Sequence, residues 1–262
     1  MLSVIIPAYN EGNHIYDNLL KINSELNHFC KDYEIIFVDD GSNDSTASEA
    51  KQAAKVIDNI EIVTYTKNGG KGYAIKEGFK KSSKDLITFL DADLDIPPQQ
   101  IKPLLEKINE TNADVVIQSK RHKDSVVNGF PIKRQYLSKS YNLIVKQMFR
   151  LPVSDTQVGI KLFKRKVLEM IMPKLLVKRY ASDVEQLLLA HKYGFKIAEC
   201  PVRINYNQAG DCMAMKDVFS IGLDTAAIYY RAHVLKYYDN AGNMPHIIDD
   251  KSRSIVLENF SK

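Results

Sequence analysis

The stretch Leu86-Ile87-Thr88-Phe89-Leu90-Asp91-Ala92-Asp93-Leu94-Asp95 decides how the rest of the chain is read. Leu86 to Leu90 is apolar apart from Thr88 and rich in strand formers, the pattern of a strand buried on both faces of a parallel sheet. Three carboxylates follow at alternate positions. Like charges this close repel, and desolvation adds to the cost, unless a cation lies between them. Hard oxygen ligands at the carboxyl end of a strand suit Mg²⁺ or Mn²⁺, and in open α/β sheets that end is where ligands bind. A solvated acidic turn accounts for the ten residues equally well, so the flanking sequence has to decide.

Upstream, residues 2–6 read as an apolar strand ended by Pro7, and P-A-Y-N-E-G leads into a helix over 13–29. A second strand at 33–38 closes on Asp39 and Asp40. Gly41 to Thr46 then makes a turn and caps a helix near Asp44. A third strand lies at 60–64, and Asn68-Gly69-Gly70-Lys71-Gly72 turns into a helix over 73–81. Downstream, Pro97 and Pro98 start a helix to about Asn109, and 115–118 is a fifth strand. Strand and helix thus alternate through 1–119 with connections suited to parallel neighbours, the signature of a doubly wound, Rossmann-like half. The remainder is less regular: a basic loop at 119–133, a helix at 134–149, a strand at 158–163, a helix at 181–193, a strand at 196–204, a long apolar helix at 216–238 and a polar tail.

The 262 residues are 45% hydrophobic and 26% charged, ordinary for a globular chain. The net charge of +4 is unevenly spread. Residues 1–100 hold 10 lysines and arginines against 16 acids, a balance of −6; residues 101–262 hold 26 against 16, a balance of +10. An acidic half suited to a metal is joined to a basic half suited to phosphate or an anionic membrane. Cys30, Cys200 and Cys212 are too few and too scattered for a disulfide framework or a zinc site, which points to a reducing compartment. The chain enters a strand at once and has no run of about 18 apolar residues, so neither a signal peptide nor a membrane-spanning helix is expected.

The first strand–helix turn lacks G-x-G-x-x-G, and around Lys71 the P-loop spacing fails, with Gly72 where Ser or Thr is needed. A nucleotide held by strand-end carboxylates and a divalent metal remains. Here V-I-I-P-A-Y-N-E at 4–11, V-D-D-G-S-N-D at 38–44 and D-A-D at 91–93 resemble the nucleotide-sugar domain of family 2 glycosyltransferases, which have the GT-A fold. S-D-T-Q-V-G-I-K-L-F at 154–163, V-K-R-Y-A-S-D-V-E at 177–185 and G-L-D-T-A-A-I-Y-Y-R at 222–231 resemble the branch that makes dolichyl-phosphate β-glucose. The stretch at 210–216, G-D-C-M-A-M-K, departs from the Gly-Ser-Lys of that branch.

The resemblance implies one GT-A catalytic domain over 1–238, with a mostly parallel central sheet flanked by helices. Its nucleotide-sugar half would be 1–119, its acceptor half 120–238, and 239–262 a polar tail. It implies an inverting, metal-dependent transferase that moves a hexose, glucose from UDP-glucose, onto a polyprenyl or dolichyl phosphate. Asp91 would lie near the nucleotide and Asp93 with Asp95 would hold Mg²⁺ or Mn²⁺. Glu11 and Asp40 would meet ribose and base, Pro7, Ala8 and Tyr9 would form a wall under the base, and Lys71 would reach a phosphate. An acceptor phosphate is already anionic and needs cations rather than a strong base; Arg121, Arg134, Lys178 and Arg179 are candidates. Asp155, Asp183 and Glu185 are candidates for a base or for orienting those cations. Asp183 and Glu185, at i and i+2 on a helix, do not share a face. Transfer to a sugar or polysaccharide hydroxyl, and a silent nucleotide-sugar-binding module, are the alternatives. No nucleic-acid partner is expected.

A lipid-borne acceptor requires a route to the bilayer. On the helix at 216–238, Asp217, Asp224 and Arg231 form one narrow polar stripe and apolar residues cover much of the rest. This helix is either a core element or, over 229–238, a lipid-contacting one, which would make the protein peripheral on the cytoplasmic face of a membrane.

Overall fold

The computed structural model describes residues 1–129, 132–156, 160–177, 181–205 and 215–240. The chain divides into two compact units, Met1–Cys212 and Met213–Lys262. The first is built on a sheet of seven strands in the order β3-β2-β1-β4-β7-β5-β8. The strands are β1 (Leu2–Ala8), β2 (Tyr33–Asp39), β3 (Ile60–Thr64), β4 (Leu86–Phe89), β5 (Val115–Ser119), β7 (Lys161–Lys164) and β8 (Ile197–Pro201). All neighbours are parallel except at β7, which runs antiparallel to both β4 and β5.

Side chains alternate across this sheet and build two cores. Leu2, Val4, Ile6, Ile35, Phe37, Val116 and Leu162 face α1 (Ile15–Phe29), α2 (Thr46–Ala53) and α4 (Ile101–Thr111). Helix α1 meets that face with Ile15, Leu19, Ile22 and Leu26, all fully buried and spaced at helical period. Ile5 and Val38 point the other way, toward α3 (Lys71–Lys81). That helix lies so close that a Cβ on Gly78 would stand 2.5 Å from Ile5 Cγ2, which excludes any larger residue there. Phe89 and Phe163 pack on the same side, centroids 5.5 Å apart.

Strand β1 continues through Pro7 instead of stopping there. Ala8 accepts a hydrogen bond from Asp40 N on the β2 side, whereas Ile5 accepts one from Leu90 N on the β4 side. By alternation Pro7 faces β4, whose pairing with β1 ends at Ile5↔Phe89; the missing N–H falls where no partner is due.

Four further expectations are corrected. Strand β5 is not a direct neighbour of β4, because β7 enters between them; the short crossover carried by α4 only fixes that the two are parallel. The loop at 119–133 contains β6 (Val126–Asn128), which pairs with β9 (Arg203–Asn205) in a separate two-stranded parallel sheet. The single strand at 196–204 is therefore two, β8 and β9. The helix at 216–238 is α8 (Met215–Tyr229), a π-helical turn (Tyr230–Val234) and α9 (Tyr237–Asn240). Leu235 N bonds Tyr230 O, five residues back, and Lys236 adopts φ 49°, which ends the helix. Tyr238 is turned inward, 1% exposed, and its hydroxyl accepts from Arg231 Nε at 3.2 Å. Positions 158 and 159 of the strand expected at 158–163 and the tail from 241 lie outside the described residues. Among those that are described, no helix is long and apolar enough to cross a membrane.

The other helices of the first unit are α5 (Ile132–Phe149), α6 (Arg165–Ile171) and α7 (Ser182–Lys192). Cys30 and Cys200 are buried free thiols; burial pushes Cys200 up to about 12.

Candidate active site

The chain passes from β1 outward to β2 and β3, then returns to place β4 on the other side of β1. Strand order thus reverses between β1 and β4, and a crevice opens at their carboxyl ends. Three sequence motifs meet there. Residues 7–12 end and follow β1, 39–46 end and follow β2, and 91–95 follow β4.

The first two loops are stitched together. Asn10 N donates to Ser42 Oγ at 2.9 Å and Asn43 N to Asn10 Oδ1 at 3.0 Å. Glu11 N donates to Thr46 Oγ1 at 2.8 Å, and Gly12 N to Asp44 Oδ2 at 3.0 Å. The loops touch so closely at Gly12 that a Cβ would meet Ser45 Oγ at 2.3 Å. Asp44 also accepts from the Thr46 N–H and hydroxyl. Asp44 is exposed; the partial desolvation of its carboxyl favours the neutral acid, but these donors outweigh it and hold the carboxyl below its ordinary value. Pro7 is half-buried, Ala8 buried and Tyr9 44% exposed at the crevice end of β1.

Asp40 is 3% exposed. Its Oδ1 accepts from Tyr65 Oη at 2.7 Å and Gly69 N at 2.8 Å, and its Oδ2 from Gly70 N at 2.8 Å. The carboxylate that the sequence offers to a nucleotide is bound to the glycine turn that begins α3. Lys71 opens that helix, and its Nζ lies 2.5 Å from Asp91 Oδ1.

The acidic turn after β4 is shaped by its alternate residues. Ala92 is buried and its carbonyl accepts from Asn18 Nδ2 of α1 at 2.8 Å. Leu94, at φ 57°, packs against the core; a left-handed conformation at a non-glycine residue is held only by such surroundings. Asp91, Asp93 and Asp95 are consequently on the outer side, and Asp93 Oδ1 accepts from Asp95 N at 3.0 Å. Although Asp93 keeps contact with solvent, the protein crowding its carboxyl raises its pKa, with Asp91 and Asp95 adding to the effect. Burial raises Glu11 as well, and Asp93 is the next contributor. For Lys71, burial opposes the charge, but Asp91, Asp183 and Asp93 more than compensate and hold the ammonium well above its usual range. One lysine therefore faces several carboxylates, and the excess is negative.

Asp183, near the start of α7, reaches this cluster. Its Oδ1 lies 3.1 Å from Lys161 Nζ, a lysine in β7 that is 1% exposed. Lys161 was not singled out from the sequence. The signal is a lysine inside the apolar run I-K-L-F, which a strand buried on both faces tolerates only with an anionic partner. Glu185 goes elsewhere: it is fully buried, and its Oε2 accepts from Leu176 N at 3.0 Å and Val177 N at 2.8 Å.

A second recess, a cleft of about 180 Å³, is lined by Lys120, Arg121, Gln135, Ser138, Lys139 and Asp155 among others. Asp155, 1% exposed, accepts from Lys120 N at 3.2 Å. Arg121 Nη2 donates to Ser138 O at 3.2 Å. Arg134's side chain, Lys178 and Arg179 lie outside the described residues.

Among the described residues no three acidic, histidine or cysteine side chains are arranged to hold a metal ion alone. Asp93 and Asp95 nonetheless have the hard oxygens that Mg²⁺ and Mn²⁺ prefer. Mg²⁺ is commonly held by one or two carboxylates and completed by water and substrate phosphates. The donor set fits such a shared site.

The sequence pattern of glycosyl transferase family 2 matches residues 3–172. The chain belongs to this family. This glycosyl transferase is 30% identical over 251 residues to a dolichyl-phosphate beta-glucosyltransferase of Trichomonas vaginalis, covering 90% of this chain and 74% of the relative. It is 34% identical over 222 residues to the dolichyl-phosphate beta-glucosyltransferase of Dictyostelium discoideum, covering 79% and 66%. Glycosyltransferase AglD of Haloferax volcanii is 29% identical over 226 residues, which cover 84% of this chain and 36% of AglD. Among solved structures, glucosyl-3-phosphoglycerate synthase of Mycobacterium tuberculosis with Mn²⁺, UDP and phosphoglyceric acid superposes with a TM-score of 0.68 at 18% identity, covering 88% and 77%. The same enzyme with Mg²⁺ and UDP gives 0.67 at 18% identity, covering 88% and 78%. The fold of the family 2 transferase is accordingly GT-A, with a mostly parallel sheet flanked by helices.

Proposed function

We propose that this family 2 transferase moves glucose from UDP-glucose to a polyprenyl phosphate with inversion at the anomeric carbon. The observation that carries the reading is the convergence of Lys71, Asp91, Asp93 and Asp183 at the crevice where strand order reverses. The names of the two relatives at 30% and 34% identity support the acceptor.

Pro7, Ala8, Tyr9 and Glu11 border the nucleotide, and Lys71 exchanges Asp91 for a donor phosphate oxygen. Asp93 and Asp95 are the residues that would hold Mg²⁺ or Mn²⁺. A divalent ion there supplies charge compensation for the diphosphate leaving group. The acceptor phosphate oxygen attacks C1 as the C1–O bond to the diphosphate breaks, and UDP leaves with that electron pair. No proton has to be removed from the acceptor. Arg121, with Lys120 beside it, receives the acceptor phosphate, and Asp183 orients Lys161 and Lys71. Catalytic residues would thus come from the span 1–212, with 1–238 as the catalytic domain and the protein peripheral on the cytoplasmic face of a membrane.

Asp155 favours a second reading. A buried carboxylate lining the basic cleft can serve as general base toward a sugar hydroxyl. A screen of labelled nucleotide-sugars with and without polyprenyl phosphate in detergent separates the two. Label in the organic phase, with UDP-glucose as the best donor, is the expected result. Label transferred only to a water-soluble sugar would overturn the lipid acceptor.

A further inference from the structure

We propose that the outward face of α5 docks this protein on an anionic phospholipid bilayer. Asn142, Val145 and Phe149 point inward from α5 and are buried. The opposite side carries Tyr136, Leu137, Leu143 and Ile144, which are 68%, 52%, 60% and 51% exposed. At 100° per residue these four fall within one band, with Lys133, near the start of the helix, Ser140 and Gln147 between them. An ordinary surface helix of a soluble domain carries its polar residues on that side; here the polar and apolar sides are not divided in that way, and four large apolar side chains share the side that meets water.

Charge identifies the occupant. From Ser125 to Ser154 the chain has no Asp or Glu, and five cations: Lys133, Arg134, Lys139, Lys146 and Arg150. Lys139 and Lys146, seven residues apart and both exposed, border one edge of the apolar band. Tyr141 and Met148, also seven apart and half-buried, border the other. Two copies of α5 meeting through this face would bring like charges together without an acid on the helix to offset them. A bilayer with anionic headgroups offers hydrocarbon for Leu143 and Ile144, an interfacial layer for Tyr136 and negative charge for Lys139 and Lys146. The cleft containing Lys120 and Arg121 is lined by Gln135, Ser138 and Lys139 of the same helix, so docking would bring that cleft to the level of lipid phosphates. This deepens the proposed function, but the surface itself can be tested in vesicles free of polyprenyl phosphate.

The test is flotation of the full chain with phosphatidylcholine vesicles, with and without phosphatidylglycerol, at low and high salt. The wild type is expected to float with anionic vesicles and to be partly released by salt. Leu143→Glu/Ile144→Glu should lower the partition coefficient at least about tenfold with its melting temperature kept, because both side chains are already exposed. Lys139→Glu/Lys146→Glu should weaken binding to anionic vesicles selectively. Phe219→Glu/Leu223→Glu on α8 is the matched control and should float like the wild type. Three results overturn the inference: no flotation of folded wild type, undiminished flotation of the Leu143/Ile144 variant, or light scattering in which that variant converts an oligomer to a monomer. Transfer to a short polyprenyl phosphate dissolved in detergent is measured alongside. Its absence in the wild type would sink the proposed acceptor while leaving the flotation result standing.

Discussion

The Asp40 carboxylate at the end of β2 accepts hydrogen bonds from the N–H groups of Gly69 and Gly70, both at 2.8 Å, and so fixes where α3 begins. Lys71 is the next residue, and its ammonium meets Asp91. Asp40 thereby positions a cation on the far side of β1 without touching it. Asp40→Asn puts an amide N–H₂ against at least one of these donors and should lower unfolding free energy by about 1–3 kcal/mol. Chemical denaturation measures the loss, and calorimetric titration of UDP measures the consequence at Lys71. Weakened UDP binding with unchanged stability would instead assign Asp40 to the nucleotide.

The acidic turn gives a metal prediction. Chelation should abolish transfer, and Mn²⁺ or Mg²⁺ should restore it. Asp93→Asn should reduce turnover by about 10²–10³, because it keeps the shape but removes a charge. Asp93 and Glu11 both have raised pKa values, so protons compete for them at a pH above the ordinary 3.8 of aspartate and 4.5 of glutamate. Affinity for Mn²⁺ is therefore expected to fall as pH decreases, starting above those values. A pH-independent affinity down to 3.8 would remove Asp93 from the site.

Asp183 and Glu185 should separate in their effects. Glu185→Ala removes the acceptor of two N–H groups, at Leu176 and Val177, and should cost about 2–4 kcal/mol of stability. Glu185→Gln keeps one acceptor oxygen and should retain turnover per folded molecule. Asp183→Asn should lower turnover while binding UDP, since Asp183 faces Lys71 and Lys161. Equal turnover in the two conservative variants would contradict this division.

Asp44 makes the stability of the joined loops depend on pH. Its folded carboxyl lies below the ordinary 3.8, so near that pH the group binds fewer protons in the native state than in the unfolded chain. The stabilisation is complete above 3.8 and is lost as pH falls through the lower, folded value. The difference in melting temperature between wild type and Asp44→Asn should thus be constant near neutrality and shrink below pH 3.8. A difference that grows on acidification would refute the assignment.

The first half of the molecule was legible because its signals are local. The runs over β1, β2 and β4 are apolar enough to be buried, and Asp39 and Asp91 mark the ends of β2 and β4 in the sequence itself. Where a strand goes in the sheet is a different matter. Nothing in K-L-F-K says that β7 will separate β4 from β5, because that choice is made by non-local pairing. The three-residue strands β6 and β9 are too short for alternation to show. At the site, the motifs located the crevice but not the allegiance of each carboxylate. Asp40 and Glu185 look like Asp91 and Asp183 in one dimension, and only the positions of Gly69, Gly70, Leu176 and Val177 reveal that they hold backbone. The apolar face of α5 is not legible in the sequence, because Tyr136, Leu137, Leu143 and Ile144 suit a buried helix equally well until Asn142, Val145 and Phe149 are seen to form the buried side.

The antiparallel entry of β7 has a consequence for biosynthesis. As the chain leaves the ribosome, β1, β2 and β3 can pair as soon as they emerge, and β4 can join β1. Among the described residues, strand β5 pairs with β7 and β8, both of which are translated later. Until residue 164 is out, Val115, Val116 and Ile117 form an unpaired apolar strand beside an unfinished edge at β4, a state exposed to misassociation. A chain stopped at residue 119 would expose that state permanently. The amino-terminal half is therefore not a portable nucleotide-binding cassette: a transplant or split that is to fold has to carry β7 with it.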